Sequence, residues 1–264
     1  MTTENSITVL GAKGWIGSAL VAELKGQGRS VRAITRKSLS DWLSNHDSYG
    51  PVIYTIGLTS DFRHRPHETV EAHVSLLSQV LRRPGIEKLV LLSSTRVYAR
   101  ALDTSETTIL PCLSSDPSDI YNISKLLGEA LLLQDSRPGL KVVRLSNVVG
   151  PGQPPNTFLG ALLAEATAKG SATIVQPEDT SKNYVALDDV VRLLPAIAER
   201  GRQRIYNLGS DRNSSHREVA LWLMRQGVNV RFASRNETRN GLSFSPLVID
   251  RLSAEFESPS CPFS

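Results

Sequence analysis

The feature that most constrains this chain is a glycine triad, Gly11, Gly14 and Gly17, set between an apolar run and an apolar-periodic segment. Ile7-Thr8-Val9-Leu10 reads as a buried strand that stops at Gly11. Trp15, Ile16, Ala19, Leu20 and Leu24 then recur at helical spacing, and Gly26 and Gly28 punctuate the end of that helix. Val31-Arg32-Ala33-Ile34 reads as a second strand. Strand, helix and strand within about 30 residues predict a right-handed crossover and a parallel sheet. In Gly11-Ala12-Lys13-Gly14-Trp15-Ile16-Gly17 the first glycine permits a tight turn off the strand. The second and third let a dinucleotide pyrophosphate and the sheet approach the helix N-terminus, where free N–H groups attract phosphate.

The rest of the chain repeats the alternation. Val52–Ile56 is a strand ending at Gly57, and Pro66 opens a helix that carries Val70, Val74, Leu77 and Leu81 inward. A strand from Lys88 to Leu92 closes in Ser93-Ser94-Thr95, a helix runs from about Ser118 to Gln134, and Lys141–Leu145 is a further strand. This is the pattern of an α/β chain with a Rossmann-type, doubly wound parallel sheet. Pro151, Gly152, Pro154 and Pro155 mark a break. Residues 1–150 are therefore expected to form a dinucleotide-binding domain. Residues 151–264 are expected to form a smaller C-terminal substrate lobe, partly woven back into the first, with helices near Phe158–Lys169, Leu187–Arg200 and Ser215–Gln226. The Ser- and Pro-rich stretch from Gly241 to Ser264 is expected to be loosely ordered at its end.

Composition excludes several classes. With 264 residues, 40% apolar and 21% charged, the chain can bury a real core without staples. Two cysteines, Cys112 and Cys261, argue against a disulfide scaffold or a Cys-rich zinc site. No run approaches a membrane span, and Met1–Ser6 lacks the pattern of a signal peptide, so a soluble cytoplasmic protein is expected. The net charge of +4 sits in the first 40 residues, where Lys13, Lys25, Arg29, Arg32, Arg36 and Lys37 face only Glu4 and Glu23. That excess suits an anionic ligand or a solvated face. It is too small, and too free of interleaved aromatics, for nucleic-acid binding. His64, His67 and His73 lie on or before one helix with no carboxylates completing a site, so a solvated face and no metal are expected.

Three further features carry chemistry. An acidic residue after the second strand would hold the ribose 2′-hydroxyl of NAD, but Thr35-Arg36-Lys37 stands there. A guanidinium at that place favours a 2′-phosphate, so NADP is the expected cofactor and NAD the alternative, with Lys13 adding charge from the glycine turn. Tyr121 and Lys125 are one helical turn apart, which places a phenol beside an ammonium. The positive charge is expected to lower the phenol's pKa and fit it for proton exchange with a carbinol or carbonyl. Ser93-Ser94-Thr95-Arg96-Val97-Tyr98 ends a strand at the edge where open parallel sheets bind ligands, and a hydroxyl there can hold a substrate oxygen.

Taken in this order, these motifs resemble the extended short-chain dehydrogenase/reductase superfamily in its NAD-dependent epimerase/dehydratase branch, from about Ile7 to Asp211. The resemblance implies a cofactor site at Gly11, Lys13, Gly14, Trp15, Ile16, Gly17, Arg36 and Gly57, and catalysis by Ser94, Tyr121 and Lys125. Lys125 would also hold the ribose. Arg144-Leu145-Ser146-Asn147-Val148-Val149-Gly150-Pro151 looks like the family's substrate-side loop, with Asn147 near the substrate. The segment from Lys182 to Val190 looks like its later signature. Thr95, Asn147 and Lys182 are the substrate-side candidates, with Arg235 a further candidate for the nucleotide. The implied activity is hydride transfer at a hydroxyl or keto carbon of a nucleotide-linked sugar, with ketone reduction ahead of epimerisation through a transient ketone. A dinucleotide sensor without turnover is the remaining reading. Pairing of two subunits through helices beside the site is also implied.

The departures from the family pattern are informative. Family 4,6-dehydratases carry Asp and Glu where Thr95 and Arg96 stand, which disfavours that reaction. The interval between the second strand and Val52 is too short for the usual further strand, so an edge strand is expected to be missing or vestigial.

Overall fold

The computed structural model describes residues 6–45, 50–58, 61–233 and 244–264. Strand β1 (Ser6–Leu10) leads through the glycine turn into helix α1 (Trp15–Gly26), and β2 (Ser30–Ile34) returns parallel to β1 with Ile7 opposite Val31 and Leu10 opposite Ile34. A short helix, α2 (Leu39–Ser44), is all that separates β2 from β3 (Val52–Tyr54) among the described residues. Helices α3 (Pro66–Val70) and α4 (Leu76–Arg82) flank a π-helical turn (Glu71–Ser75) and lead to β4 (Leu89–Ser94). A 3-10 turn (Thr95–Tyr98), α5 (Asp119–Leu133), β5 (Leu140–Leu145) and β6 (Asn147–Val149) follow. The chain continues through α6 (Phe158–Lys169), β7 (Ser171–Ile174), β8 (Ser181–Ala186), α7 (Leu187–Arg200) and β9 (Ile205–Leu208). It closes with β10 (Asn213–Ser215), α8 (His216–Arg225), β11 (Asn229–Phe232) and α9 (Asp250–Ser253).

The central sheet has the order β2-β1-β3-β4-β5-β9, with every pairing parallel. This is the expected doubly wound α/β fold. Leu20 and Leu24 of α1 and Leu194 and Ile197 of α7 fill the core on one face. Leu77 and Val80 of α4 and Leu132 of α5 fill it on the other. The central strands β1, β3, β4 and β5 are almost wholly buried because both of their faces are covered, and most of their residues are apolar. β2 is largely exposed and forms the sheet edge among the described residues, in line with the short interval before β3.

Beyond the sheet's C-terminal edge, β10-β8-β6 and β11-β7 form two small sheets. Their third core joins Leu159 and Leu162 of α6, Val219 and Leu223 of α8, and the chain end. Phe263 packs edge-on against Tyr184 and Trp222 at 4.9 and 5.5 Å between centroids, and Cys261 is buried beside it. The loosely ordered end expected from composition is therefore corrected, because two apolar residues anchor it in a core. No helix among the described residues is long and apolar enough to cross a membrane.

The helix after Pro66 also differs from its sequence pattern. Thr69, Ala72, His73, Leu77 and Val80 are buried, whereas Val70, Val74 and Leu81 are only partly covered. The wider π-helical turn shifts the inward face by part of a turn. His64 and His67 are exposed as expected, but His73 is 2% exposed, so the solvated face does not include it. No cluster of metal-ligating residues occurs among the described residues.

Candidate active site

The glycine turn is built for close approach. Gly11 has φ +85°, in the left-handed region, and a Cβ there would lie 2.8 Å from the Thr55 hydroxyl. The amides of Gly11 and Ala12 both donate to the Ile34 carbonyl, at 3.0 and 3.1 Å, which ties the turn to the end of β2. A Cβ on Gly17 would fall 2.3 Å from the Gly11 carbonyl oxygen, so helix and turn pack backbone to backbone. Gly14 is the extended residue before α1, no side chain caps the helix, and its first turn holds no acid. The opening N–H groups of α1 are thus left for an anion.

These residues fit a dinucleotide pyrophosphate. Lys13 is exposed beside the turn. The side chains of Trp15 and Ile16 are engaged elsewhere, which leaves their backbone N–H groups at the helix start. The Trp15 indole donates to the Pro151 carbonyl at 2.8 Å, and Ile16 packs on the main core. After β2, Arg36 and Lys37 are exposed, and the Ser38 hydroxyl accepts from the Thr35 amide at 3.0 Å. No carboxylate occupies this corner between Thr35 and Ser40.

The side chains expected to be catalytic lie at the end of β4, two strands from β1 in the sheet, and on α5. Ser94 ends β4, and its hydroxyl accepts from the Arg96 amide at 3.2 Å, which caps the turn that follows. Tyr121 and Lys125 face inward from α5, as their spacing requires, and the Ser94 hydroxyl stands close enough to the Tyr121 phenol to act on its titration. Burial raises the phenol's pKa, against the opposing pull of Ser94 and then of the Arg96 charge. The expected lowering by Lys125 is corrected, since burial dominates and the nearby cation that opposes it is Arg96. Lys125 donates to the Leu92 carbonyl at 2.9 Å, and its ammonium lies 5.8 Å from the Tyr121 ring centre. Burial lowers Lys125 to about 8, with Glu129 pulling the other way.

Two supporting groups were not visible as functional in the sequence. His73 receives the Leu58 amide on Nε2 at 3.3 Å, so its Nδ1 carries the proton toward the Ser124 hydroxyl at 2.9 Å. Ser124 in turn donates to the Tyr121 carbonyl at 2.9 Å. The imidazole meets the Tyr121 ring edge-on at 5.4 Å, and a Cβ on Gly57 would lie 3.1 Å from it and 3.5 Å from the Lys125 ammonium. Burial first, and the Lys125 charge second, push His73 down to about 2, which keeps the ring neutral. One turn beyond Lys125, Glu129 forms a buried ion pair with Arg144 at 2.7 Å. Arg144 also donates to the Tyr98 hydroxyl at 2.8 Å, which donates to Asn207 at 2.8 Å. Arg144, read as part of the substrate loop, is therefore a brace joining β5, α5 and β9.

The substrate-side candidates are spread around this centre. Thr95 reaches the Leu145 carbonyl at 3.5 Å. Asn147 is exposed, and its amide donates to the Asn183 carbonyl at 2.8 Å, which ties β6 to β8. The Lys182 ammonium lies 4.9 Å over the Phe158 ring. Arg235 lies outside the described residues.

A parallel sheet, a glycine turn and a Ser, Tyr and Lys group at its C-terminal edge define a class of nucleotide-dependent enzymes. A family model for the NAD dependent epimerase/dehydratase family matches residues 7–209, and the chain belongs to that family. It is 27% identical over 263 residues to the dTDP-6-deoxy-L-talose 4-dehydrogenase (NAD(P)(+)) of Kitasatospora kifunensis, covering 86% of this chain and 81% of that protein. Among solved structures, TunA, an NAD-dependent NDP-hexosamine 5,6-dehydratase involved in tunicamycin biosynthesis, superposes with a TM-score of 0.83 at 20% identity. That match covers 98% of this chain and 94% of TunA. MoeE5 in complex with UDP-glucose and NAD superposes at 0.77 with 23% identity, covering 96% and 93%. MoeE5 has also been solved with UDP-glucuronic acid and NAD.

Proposed function

We propose that the chain is an NAD(P)-dependent oxidoreductase that exchanges hydride at a hydroxyl or keto carbon of a nucleotide-linked sugar, working as a ketone reductase. The observation that carries this reading is the convergence of the Ser94 hydroxyl, the Tyr121 phenol and Lys125 beside a glycine turn open to a dinucleotide. Bound NAD(P)H supplies the hydride. The Tyr121 phenol delivers its proton to the carbonyl oxygen, and the Ser94 hydroxyl orients that oxygen. Burial favours the protonated phenol, the form a proton donor needs at neutral pH. The charge of Arg96 then stabilises the phenolate left behind. His73 holds the backbone of α5 through Ser124, which fixes where Tyr121 and Lys125 stand.

Arg36 and Lys37, exposed where an acid would select NAD, support NADP as the preferred cofactor. The relative named as a 4-dehydrogenase working with NAD(P) supports oxidoreduction at a ring carbon. Thr95 and Arg96 leave no carboxyl acid and base at the strand end for water loss across carbons 5 and 6 of a 4-keto sugar. Epimerisation through a transient ketone would use the same three residues.

Tyr121→Phe tests this reading. Turnover of NADPH with nucleotide-linked keto sugars should fall at least about 100-fold, the usual share of a positioned acid. NADPH binding, read by fluorescence, should stay within about 3-fold, since the lost hydroxyl faces the substrate. A variant that keeps full activity refutes the mechanism. Native mass spectrometry separates the two reactions: retained NAD supports epimerisation, and exchangeable NADP supports reduction.

A further inference from the structure

We propose that Trp15 is a positioning residue that couples the dinucleotide turn to the segment leading from β6 into α6, so that a bound dinucleotide sets where the substrate side begins. The inference rests on the reading of the glycine turn as a dinucleotide site and adds to it a link that runs through one side chain.

Trp15 faces two ways. It is the first residue of α1, and no side chain caps that helix, so its backbone N–H is among the groups left for an anion. Its half-buried indole packs on the main core and donates from Nε1 to the Pro151 carbonyl at 2.8 Å, across 136 positions of sequence. Pro151 and Gly152 lie at the surface. Gly152 has φ +68°, in the left-handed region that glycine tolerates and other residues enter at a cost. A Cβ there would stand 3.7 Å from the indole Nε1, so the ring lies against the turn that it bonds.

The segment is stiff enough to carry a displacement. A Cβ on Gly150 would fall 2.6 Å from the Leu187 Cβ, so the chain passes tight against the start of α7. Pro151, Pro154 and Pro155 each fix their own φ. The Thr157 hydroxyl donates to the Pro154 carbonyl at 2.9 Å. It accepts from the Gln153 side-chain amide at 3.0 Å and from the Gly160 N–H at 3.2 Å, which caps α6. Gly160 packs so closely on the Pro154 carbonyl that it leaves no room for a Cβ. A shift at Pro151 therefore reaches the N-terminus of α6, whose Leu159 and Leu162 belong to the third core. At the other end, β6 starts at Asn147, which is tied to the Asn183 carbonyl of β8.

The indole N–H is what makes the link. A phosphate on the opening N–H groups of α1 orders the backbone of Trp15, and an ordered Trp15 presents its indole to Pro151 at one fixed place. The same bond works in reverse, because coupling between two sites is reciprocal. A segment held from the substrate side orders the residue whose amide meets the phosphate. A phenyl ring could cover Gly152 but has no N–H to give. Losing the bond should shift the balance by about 5-fold, the effect of one ordinary hydrogen bond.

Hydrogen exchange read by mass spectrometry tests the coupling, with NADPH and NADH as the probes. Peptides spanning residues 11–18 report occupancy of the turn, and peptides spanning residues 150–160 report the segment. In the parent protein a dinucleotide that binds should slow exchange in both, the segment by about 5-fold. In Trp15→Phe the turn should still slow, while the slowing of the segment should fall below about 2-fold. Gly152→Ala, which strains the chain beside Pro151 and leaves Trp15 in place, should give the same uncoupling. A segment that slows equally in the parent and in Trp15→Phe touches the dinucleotide directly, and that result overturns the proposal. So does a segment that never responds while the turn slows. So does a Trp15→Phe turn that no longer binds, since the side chain would then serve the turn itself. A parent turn that slows with neither dinucleotide refutes the dinucleotide reading, and the coupling with it.

Discussion

Replacing Lys125 by methionine should make the protein inactive and more stable at once. The ammonium sits in a site that lowers its pKa from 10.5 to about 8. An unfolded lysine keeps its proton up to its ordinary value, whereas the folded one releases it near 8. Between those values the unfolded chain binds more protons, so stability rises with pH there. Below pH 8 the burden of the buried charge is fully present, at about 3 kcal/mol from about 1.4 kcal/mol per pH unit. Methionine has a similar length and no charge, so it escapes that burden. It also gives up the 2.9 Å bond to the Leu92 carbonyl, a loss of about 1 kcal/mol. The variant should therefore exceed the parent by about 2 kcal/mol at pH 7. The gap should shrink as pH rises through 8, close near pH ~9.5 and reverse to about 1 kcal/mol in the parent's favour by about 10.5. Urea denaturation of nucleotide-free protein at pH 7, 8, 9 and 10 measures it, with turnover assayed in parallel. A variant less stable than the parent at pH 7, or a gap that does not move with pH, would refute the argument that burial dominates the lysine's titration.

Other perturbations follow from the same geometry. Glu129→Gln leaves Arg144 buried without its counter-charge and should lower stability by about 3–5 kcal/mol in chemical denaturation, while Lys125, losing the charge that raises it, should titrate lower. Gly17→Ala forces a Cβ onto the Gly11 carbonyl, so the turn must open, and NADPH affinity measured by fluorescence titration should fall at least about 10-fold. Arg36→Asp should reverse the ratio of NADP to NAD dissociation constants, since a carboxylate repels the 2′-phosphate and accepts from the 2′-hydroxyl. An unchanged ratio would return Arg36 to a solvated role.

What the sequence revealed and what it hid divide along a physical line. The glycine turn, the crossover and the Tyr121–Lys125 face depend on contacts between residues a few positions apart, and local periodicity records those. The burial of His73 depends on one widened helical turn, which rotates the face predicted from Val70, Val74, Leu77 and Leu81. No spacing rule marks such a turn in advance. The Glu129–Arg144 pair joins a helix to a strand, so neither residue signals its partner until the sheet is assembled. Even so, Glu129 stands at the next i+4 step from Lys125, and an acid there was a readable hint that α5 buries more charge than its apolar stripe implies. The tail misled because composition measures average polarity, whereas Cys261 and Phe263 anchor it by position.

The distribution of charge sharpens the same lesson. All of the net +4 lies in the first 40 residues, and there the structure separates two roles. Arg29 is bound to Glu199 and braces α7, while Lys13, Arg36 and Lys37 stand exposed around the dinucleotide turn. Exposed charges act on a ligand through water and weaken with salt. Arg96 and Lys182 come from the balanced remainder of the chain, where counting charges predicts no field at all. Both are partly withdrawn from water, and Asp116 and Asp119, the acids that act on Arg96, are already committed to Arg100. A cation in such a setting acts on a nearby charge more strongly than a solvated one does. Net charge along the chain thus marks the exposed cations around the glycine turn and is silent on the half-buried ones of the balanced remainder.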